Sequence, residues 1–184
     1  MSQEILSKLN TTHIEEISSS RNEPEWLKNY RKSSLSVYDS LPIETSPLYN
    51  KYTDAKKMDP EKVSLSTNTA ETVPAFLQKR LGELENEICI IQIGTNIHRI
   101  NLPDELKSKG LVISSISDAV QNNFELVKKA LEASNSSDDK FTALNNAAFN
   151  SGIFIHIPRN FILDKPIYFL TCLSEDGHST ISDR

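Results

Sequence analysis

The soft donors in this chain of 184 residues are two cysteines, Cys89 and Cys172, and four histidines, His13, His98, His156 and His178. Metal centres built from such groups use three or four ligands at characteristic spacings. The separation of 83 residues between the cysteines matches neither a zinc pattern nor a CxxC redox pair. Cys172 ends an apolar stretch and His156 lies on the strand before it, so the two could face each other on successive strands. Two ligands without a third do not hold a metal, and an outward histidine beside an interior cysteine is ordinary in stacked strands. Cys89 sits in a β-branched apolar run with no flanking cation, the setting of an inert buried thiol. His98 reads as a surface strand residue, and His13 and His178 occupy polar end regions. The expectation is a colourless protein that binds no stoichiometric metal or cluster.

Acid–base chemistry is no better served. Glu15–Glu16 and Asp138–Asp139 are contiguous pairs suited to helix starts and solvation, whereas a general acid and base must oppose each other across a cleft. Arg159, Asp164 and Lys165 surround a turn instead of lining one strand face, as a carbohydrate-active β-helix enzyme requires. The five glycines are each at least 12 residues apart, which excludes GxGxxG, Walker A and GxSxG loops. No catalytic, cofactor-binding or metal-binding residue is assigned, and the chain is not expected to be an enzyme.

Composition narrows the partners. Apolar residues make up 38% of the chain and charged ones 24%, with a formal net charge of −5. That balance suits a globular core with a polar surface, and it disfavours general attraction to nucleic acid or anionic lipid. The N-terminus lacks the basic and apolar regions of a secretory signal, and no window approaches a membrane span. The expected compartment is the cytoplasm, with both thiols reduced.

The elements that must carry these residues follow from periodicity. Asn22 as N-cap, Glu25 three residues on and Pro24 in the first turn predict a helix over 23–41. Its stripe is Trp26, Leu27, Tyr30, Val37, Tyr38 and Leu41, with Lys28, Arg31 and Lys32 outward, and Pro42 ends it. Such an aromatic stripe packs on a core or partner helix in preference to a ligand. Residues 43–73 are aperiodic and polar, predicting a long mobile loop with Tyr49 and Tyr52 as anchors, cut first by proteases. A helix over 74–85 closes it.

The run from Ile88 to Ile93, the turn at Gly94–Asn96 and the alternation through Leu102 predict a β-hairpin. A short helical turn ending at Gly110 leads into a strand at Leu111–Ile113. Ser117 is read as the cap of a helix with Val120, Phe124, Val127 and Leu131 inward. Asp118 stands at its positive end and Lys128 and Lys129 toward its negative end. After a polar break at 134–137, Asp139 starts a helix with Phe141, Leu144, Ala148 and Phe149 on one side, and Gly152 is placed for a left-handed conformation. From Ile153 the period becomes that of strands. Ile153, Ile155 and Ile157 alternate, Pro158 and the Arg159–Asn160 turn interrupt, and Ile162, Ile167, Phe169 and Thr171 resume.

Four stretches, in this order, resemble the SufB/SufD family, scaffold proteins of the SUF iron–sulfur cluster assembly system. They are RNEPEWLKNYRKSSLSVYDSLPI at 21–43, GLVISSISDAVQNNFELVKKAL at 110–131, DKFTALNNAAFNSG at 139–152 and IFIHIPRNFILDKPI at 153–167. The last two are the most specific, and the loop at 43–73 is the weakest part of the likeness. The sequence looks closer to SufD-like members, lacking the N-terminal cysteine cluster of many SufB members. The resemblance implies an α+β chain. A helical N-terminal arm with its loop (1–74) leads through a small mixed α/β segment (75–152) into the first rungs of a right-handed parallel β-helix (153–184).

It also implies a function. The chain is expected to serve an iron–sulfur cluster assembly scaffold that works with a SufC-type ATPase and a SufB/SufD paralogue, contacted through regions beyond these residues. Asp176–Gly177 reads as a turn and 179–182 as a new strand, so the chain looks truncated after the first rungs. The late cysteine and partner histidine that handle the nascent cluster in the family have no counterpart here, and the cluster is assembled transiently by the full complex. Ending on open strands predicts self-association and no stable ATPase binding by the chain alone. The competing readings are a non-catalytic interaction module docking through the 26–41 helix, and a carbohydrate-active β-helix enzyme.

Overall fold

The structure, a computed structural model, describes residues 9–42, 64–65, 73–133, 139–172, 178–179 and 182–183. The first helix, α1 (Thr11–Ser20), is capped by Asn10. Asn10 Oδ1 accepts from the His13 backbone N–H, and His13 Nδ1 accepts from the Asn10 N–H, each at 3.2 Å. Histidine thus takes the place that Glu or Gln holds in the usual reciprocal cap. The second helix, α2 (Glu25–Ser40), matches the predicted one, but its N-cap is Pro24 and not Asn22. Asn22 instead turns the chain between the two helices at φ 51°, a left-handed conformation that asparagine tolerates. Glu15 lies inside α1, where it pairs with Lys32 at 2.6 Å, so it binds the two helices together and does not start one.

The loop expected over 43–73 falls largely outside the described residues. Within it Ser64–Leu65 (β1) pairs in parallel with His178–Ser179 (β7). A 3-10 turn at Ala75–Leu77 and helix α3 (Gln78–Glu83) then fulfil the helix predicted there. The hairpin forms as read, from β2 (Cys89–Ile93) and β3 (Asn96–Asn101), with Gly94 at φ 58° in the turn. Helix α4 (Asp104–Ser108) ends at Gly110, whose φ of 92° excludes most side chains, and strand β4 (Val112–Ser115) follows.

Where one helix was expected after Ser117, two occur. Ser115 is the cap, accepting from the Asp118 N–H at 3.0 Å, so α5 (Ile116–Asn122) starts one residue before Ser117. The chain breaks at Asn123, whose carbonyl opens the next helix, α6 (Phe124–Ala133), by accepting from Leu126 and Val127. Consecutive asparagines, which favour caps over helix interiors, explain the break. Residues 134–138, Asp138 among them, lie outside the description. Asp139 caps α7 (Lys140–Ala148) as predicted, accepting from the Phe141 N–H at 2.9 Å. Gly152 is not left-handed; it lies inside strand β5 (Ser151–His156).

The parallel β-helix is overturned by strand pairing. β5 pairs with β4 antiparallel, placing Ile113 opposite Ile155 and Ser115 opposite Ile153. The next strand, β6 (Tyr168–Cys172), does not stack on β5 but joins β2 in a different sheet, in parallel, with Cys89 opposite Tyr168. Among the described residues there are two open three-stranded sheets of mixed direction, β3-β2-β6 and β4-β5-β8, and the two-stranded β1-β7. Strand β8 is the pair Ser182–Asp183 beside Ser151–Gly152. The apolar pattern of 153–171 specified strands but not which neighbour each would choose.

Packing arranges these pieces in layers. One face of β2 carries Cys89, Ile91 and Ile93 onto Leu77, Leu81 and Leu84 of the α3 region. The other face turns Ile88 and Ile90 toward Leu111, Ile113 and Ile153, so the two larger sheets pack face to face. Phe154 and Val112 point the opposite way, onto Leu27, Ile116, Val120, Val127 and Phe149. Beyond them α1, α2 and α7 close a further cluster around Ile14, Leu35 and Leu144. The alternation at 153–157 is graded: Ile153 is buried, while Ile155 and Ile157 run out toward solvent.

Candidate functional site

The residues weighed for metal chemistry are not brought together. His156 is in the β4-β5-β8 sheet and Cys172 in the β3-β2-β6 sheet. Cys172 lies opposite Ile93, four positions along the strand pair from Cys89, which at ~3.3 Å per residue separates the two thiols far beyond disulfide reach. Cys89 is fully buried and Cys172 half-buried. His98 is exposed on β3, as expected of a surface strand residue. His13 serves the α1 cap. His178 lies in β7. Arg159, Asp164 and Lys165 are exposed around the turn after β5, and Lys165 stands 3.9 Å from Glu87.

The densest chemistry lies elsewhere, at a residue the helical reading placed outward. Arg31 is 0% exposed, the largest fully buried side chain among the described residues. Its Nε donates to Glu23 Oε2 at 2.8 Å and its Nη2 to Glu23 Oε1 at 2.7 Å, a bidentate pair. Nη1 donates to the Ala147 carbonyl at 3.1 Å, and the guanidinium lies 3.8 Å over the Phe149 ring. Glu23 also accepts from Ser18 Oγ at 3.0 Å. Taking two charges out of water costs several kcal/mol per ion, by order of magnitude, so such a pair persists only where every lone pair and donor is used. Here they are used.

The centre is positioned by local sequence. Leu27, Arg31, Ser34 and Leu35 fall at i, i+4, i+7 and i+8 along α2, and all four are buried. That is the spacing of a core stripe, and it was the available signal for Arg31. Glu23 arrives from the turn before α2, and the Ala147 carbonyl belongs to the last turn of α7, the negative end of that helix dipole. Arg21 adds a second cation, donating through Nη2 to the Asn150 carbonyl just past the same helix end. Burial, and then the neighbouring Arg31 charge, lower the Arg21 pKa from its usual value, with Glu23 acting in the opposite sense.

Around this centre the helical arm is tied down at further points. Lys140 donates to the carbonyls of Tyr38 and Leu41 at the end of α2, the latter at 2.7 Å, and stands 4.1 Å over the Tyr38 ring. Burial raises the Tyr38 pKa. Tyr30 donates to the Leu131 carbonyl of α6 at 3.1 Å. The predicted aromatic stripe of α2 therefore faces the body of the protein, with Trp26 and Tyr30 packed on the cluster that includes Phe149. The chemistry of this arrangement is that of a fastening, which sets where the arm sits on the strands.

No helix among the described residues is long and apolar enough to cross a membrane. Known proteins match the chain over most of its length. A family profile described as "SufBD protein N-terminal region" matches residues 3–169. A protein of Staphylococcus aureus named "Iron-sulfur cluster assembly SufBD family protein" is 29% identical over 170 residues. A protein of the same family name in Staphylococcus saprophyticus is 30% identical over 170 residues. Each alignment covers 84% of this chain and 36% of the relative, so the chain spans about a third of the length of these curated relatives. With the match running from the helical arm to the start of β6, the chain belongs to the SufBD family, in the part that the family's N-terminal region describes.

Proposed function

We propose that this protein takes part in iron–sulfur cluster assembly as a non-catalytic part of a cytoplasmic scaffold. The observation that carries the reading is the family match over residues 3–169, supported by relatives named for iron–sulfur cluster assembly. On this reading the polar centre around Arg31 serves to fasten the helical arm. On this reading the cluster is cargo built by the full complex, and no resident cofactor belongs to these residues. The partners are a SufC-type ATPase and a SufB/SufD paralogue, reached through segments outside residues 1–184.

Anaerobic co-purification of the whole gene product with that ATPase and a paralogue tests the proposal, with iron and sulfide measured on the eluted complex. The expected result is co-elution with both elements above the level of the 184-residue chain alone. A gene product that elutes alone and without iron or sulfide overturns it. Equal recovery of the ATPase by the 184-residue chain would move the contact into the helical arm.

A further inference from the structure

Strand β5 uses one of its edges fully and the other only at its start. On one side it pairs with β4 from Ile153 to His156. On the other side β8 covers Ser151 and Gly152 alone. In an antiparallel ladder alternate residues bond to the neighbouring strand, and those between them direct N–H and C=O groups away from it. Beyond Gly152 the outer edge of β5 therefore carries backbone donors and acceptors that no strand among the described residues meets.

The side chains along this edge are apolar. Ile155 and Ile157 are 43% and 51% exposed, and they share a face with Ile153, which is buried against the neighbouring sheet. Sheet edges that remain single are ordinarily blunted by lysine, by an inward-pointing charge or by a covering element. Phe154, Ile155, His156 and Ile157 include no Lys, Arg, Asp or Glu, and Pro158 ends the run. Only another strand satisfies such a row of backbone groups, and β8 shows that this edge takes one.

We propose that the outer edge of β5 pairs with the same edge of a second copy of this chain, antiparallel about a two-fold axis at Ile155. The stretch left between Gly152 and Pro158 is centred on Ile155, and its pattern is self-complementary, as a two-fold interface requires. Ile155 faces Ile155 of the second copy, Ile157 lies beside Ile153, and Phe154 lies opposite His156. Every exposed isoleucine of the strand thus meets another across the axis, and β4 and β5 of the two copies become one four-stranded antiparallel sheet. So short a pair of edges buries less than the roughly 1,200 Å² typical of stable complexes, which makes the dimer a transient one.

Sedimentation velocity of the 184-residue chain from about 10 μM to about 1 mM, the range of transient contacts, tests the pairing. A monomer–dimer equilibrium is expected, and amides between Phe154 and Ile157 should gain protection from hydrogen exchange as the concentration rises. Ile155→Lys and Ile155→Glu each set like charges opposite one another at a half-exposed position, and each should weaken association roughly tenfold or more while leaving the melting temperature of the monomer unchanged. An equimolar mixture of the two variants sets Lys against Glu and should recover association, which a misfolded variant cannot do. A dimer that either substitution leaves intact, or a mixture that does not recover, overturns the proposal. So does a chain that stays monomeric throughout, and amides protected in that monomer would place a segment of the same chain on the edge instead.

Discussion

The helical arm and the strand layers are held by different physics. Strands β2 and β6 join through an uninterrupted ladder with apolar residues on both faces, and β2 is buried along its whole length. The arm, by contrast, meets α7 through a cluster of small and medium apolar groups and a polar fastening of Arg31, Glu23, Arg21 and Lys140. Apolar burial is non-directional and tolerates small slips in packing. A bidentate ion pair aimed at a helix-end carbonyl tolerates very little, so the arm obtains a defined position from groups that add little net stability.

The sharpest way to break this contrast is to remove one member of the buried pair. Arg31→Met leaves the Glu23 carboxylate buried without its partner and is expected to cost about 3–5 kcal/mol by urea denaturation. Adding Glu23→Gln to it should restore much of that loss. If the single substitution costs less than a kilocalorie, the arm is held by apolar contact alone and the contrast disappears. The matching change in the strands, Ile91→Ala at a fully buried position, should cost about 3 kcal/mol through the cavity it leaves. No second substitution of a polar partner should rescue it.

Weaker local terms sharpen the picture. Asp139→Ala removes the α7 cap and should cost about 1 kcal/mol. The Asp139 carboxyl is held below the usual range, first by the Thr142 hydroxyl, against the opposing effect of burial, and also by the N–H groups of Phe141 and Thr142. Because the folded state lowers this pKa, the cap contributes fully above about pH 4 and fades as pH falls through the depressed value. Asp139→Asn should keep most of the cap and lose that acid dependence, read from denaturation midpoints between neutral and acid pH. The smallest effect is expected at Gly82 in α3, where an added Cβ meets nothing within 4 Å. Gly82→Ala should stabilise the protein by about 0.5–1 kcal/mol, seen as a raised melting temperature.

Local pattern was enough for much of this molecule. The hairpin around Gly94, the Gly110 stop, the Asp139 cap and the α2 helix all depend on interactions within a few residues, and each was legible from spacing and residue type. The family was legible too, in the stretches at 139–152 and 153–167. The Ser115 cap and the Asn123 break were also local, but Ser117 offered a competing cap two residues on, and only the geometry of the Asp118 N–H chose between them.

What tertiary structure alone decided was partnership. A strand pattern fixes which side chains alternate but not which edge they meet, so β6 could join β2 and leave β5 to β4 without any change in its sequence. The charge on Arg31 suggested a solvated face, although its register with Leu27 and Leu35 put it on the buried one. A guanidinium can be buried there only because Glu23, the Ala147 carbonyl and the Phe149 ring converge on it, and two of those three come from residues more than a hundred positions away.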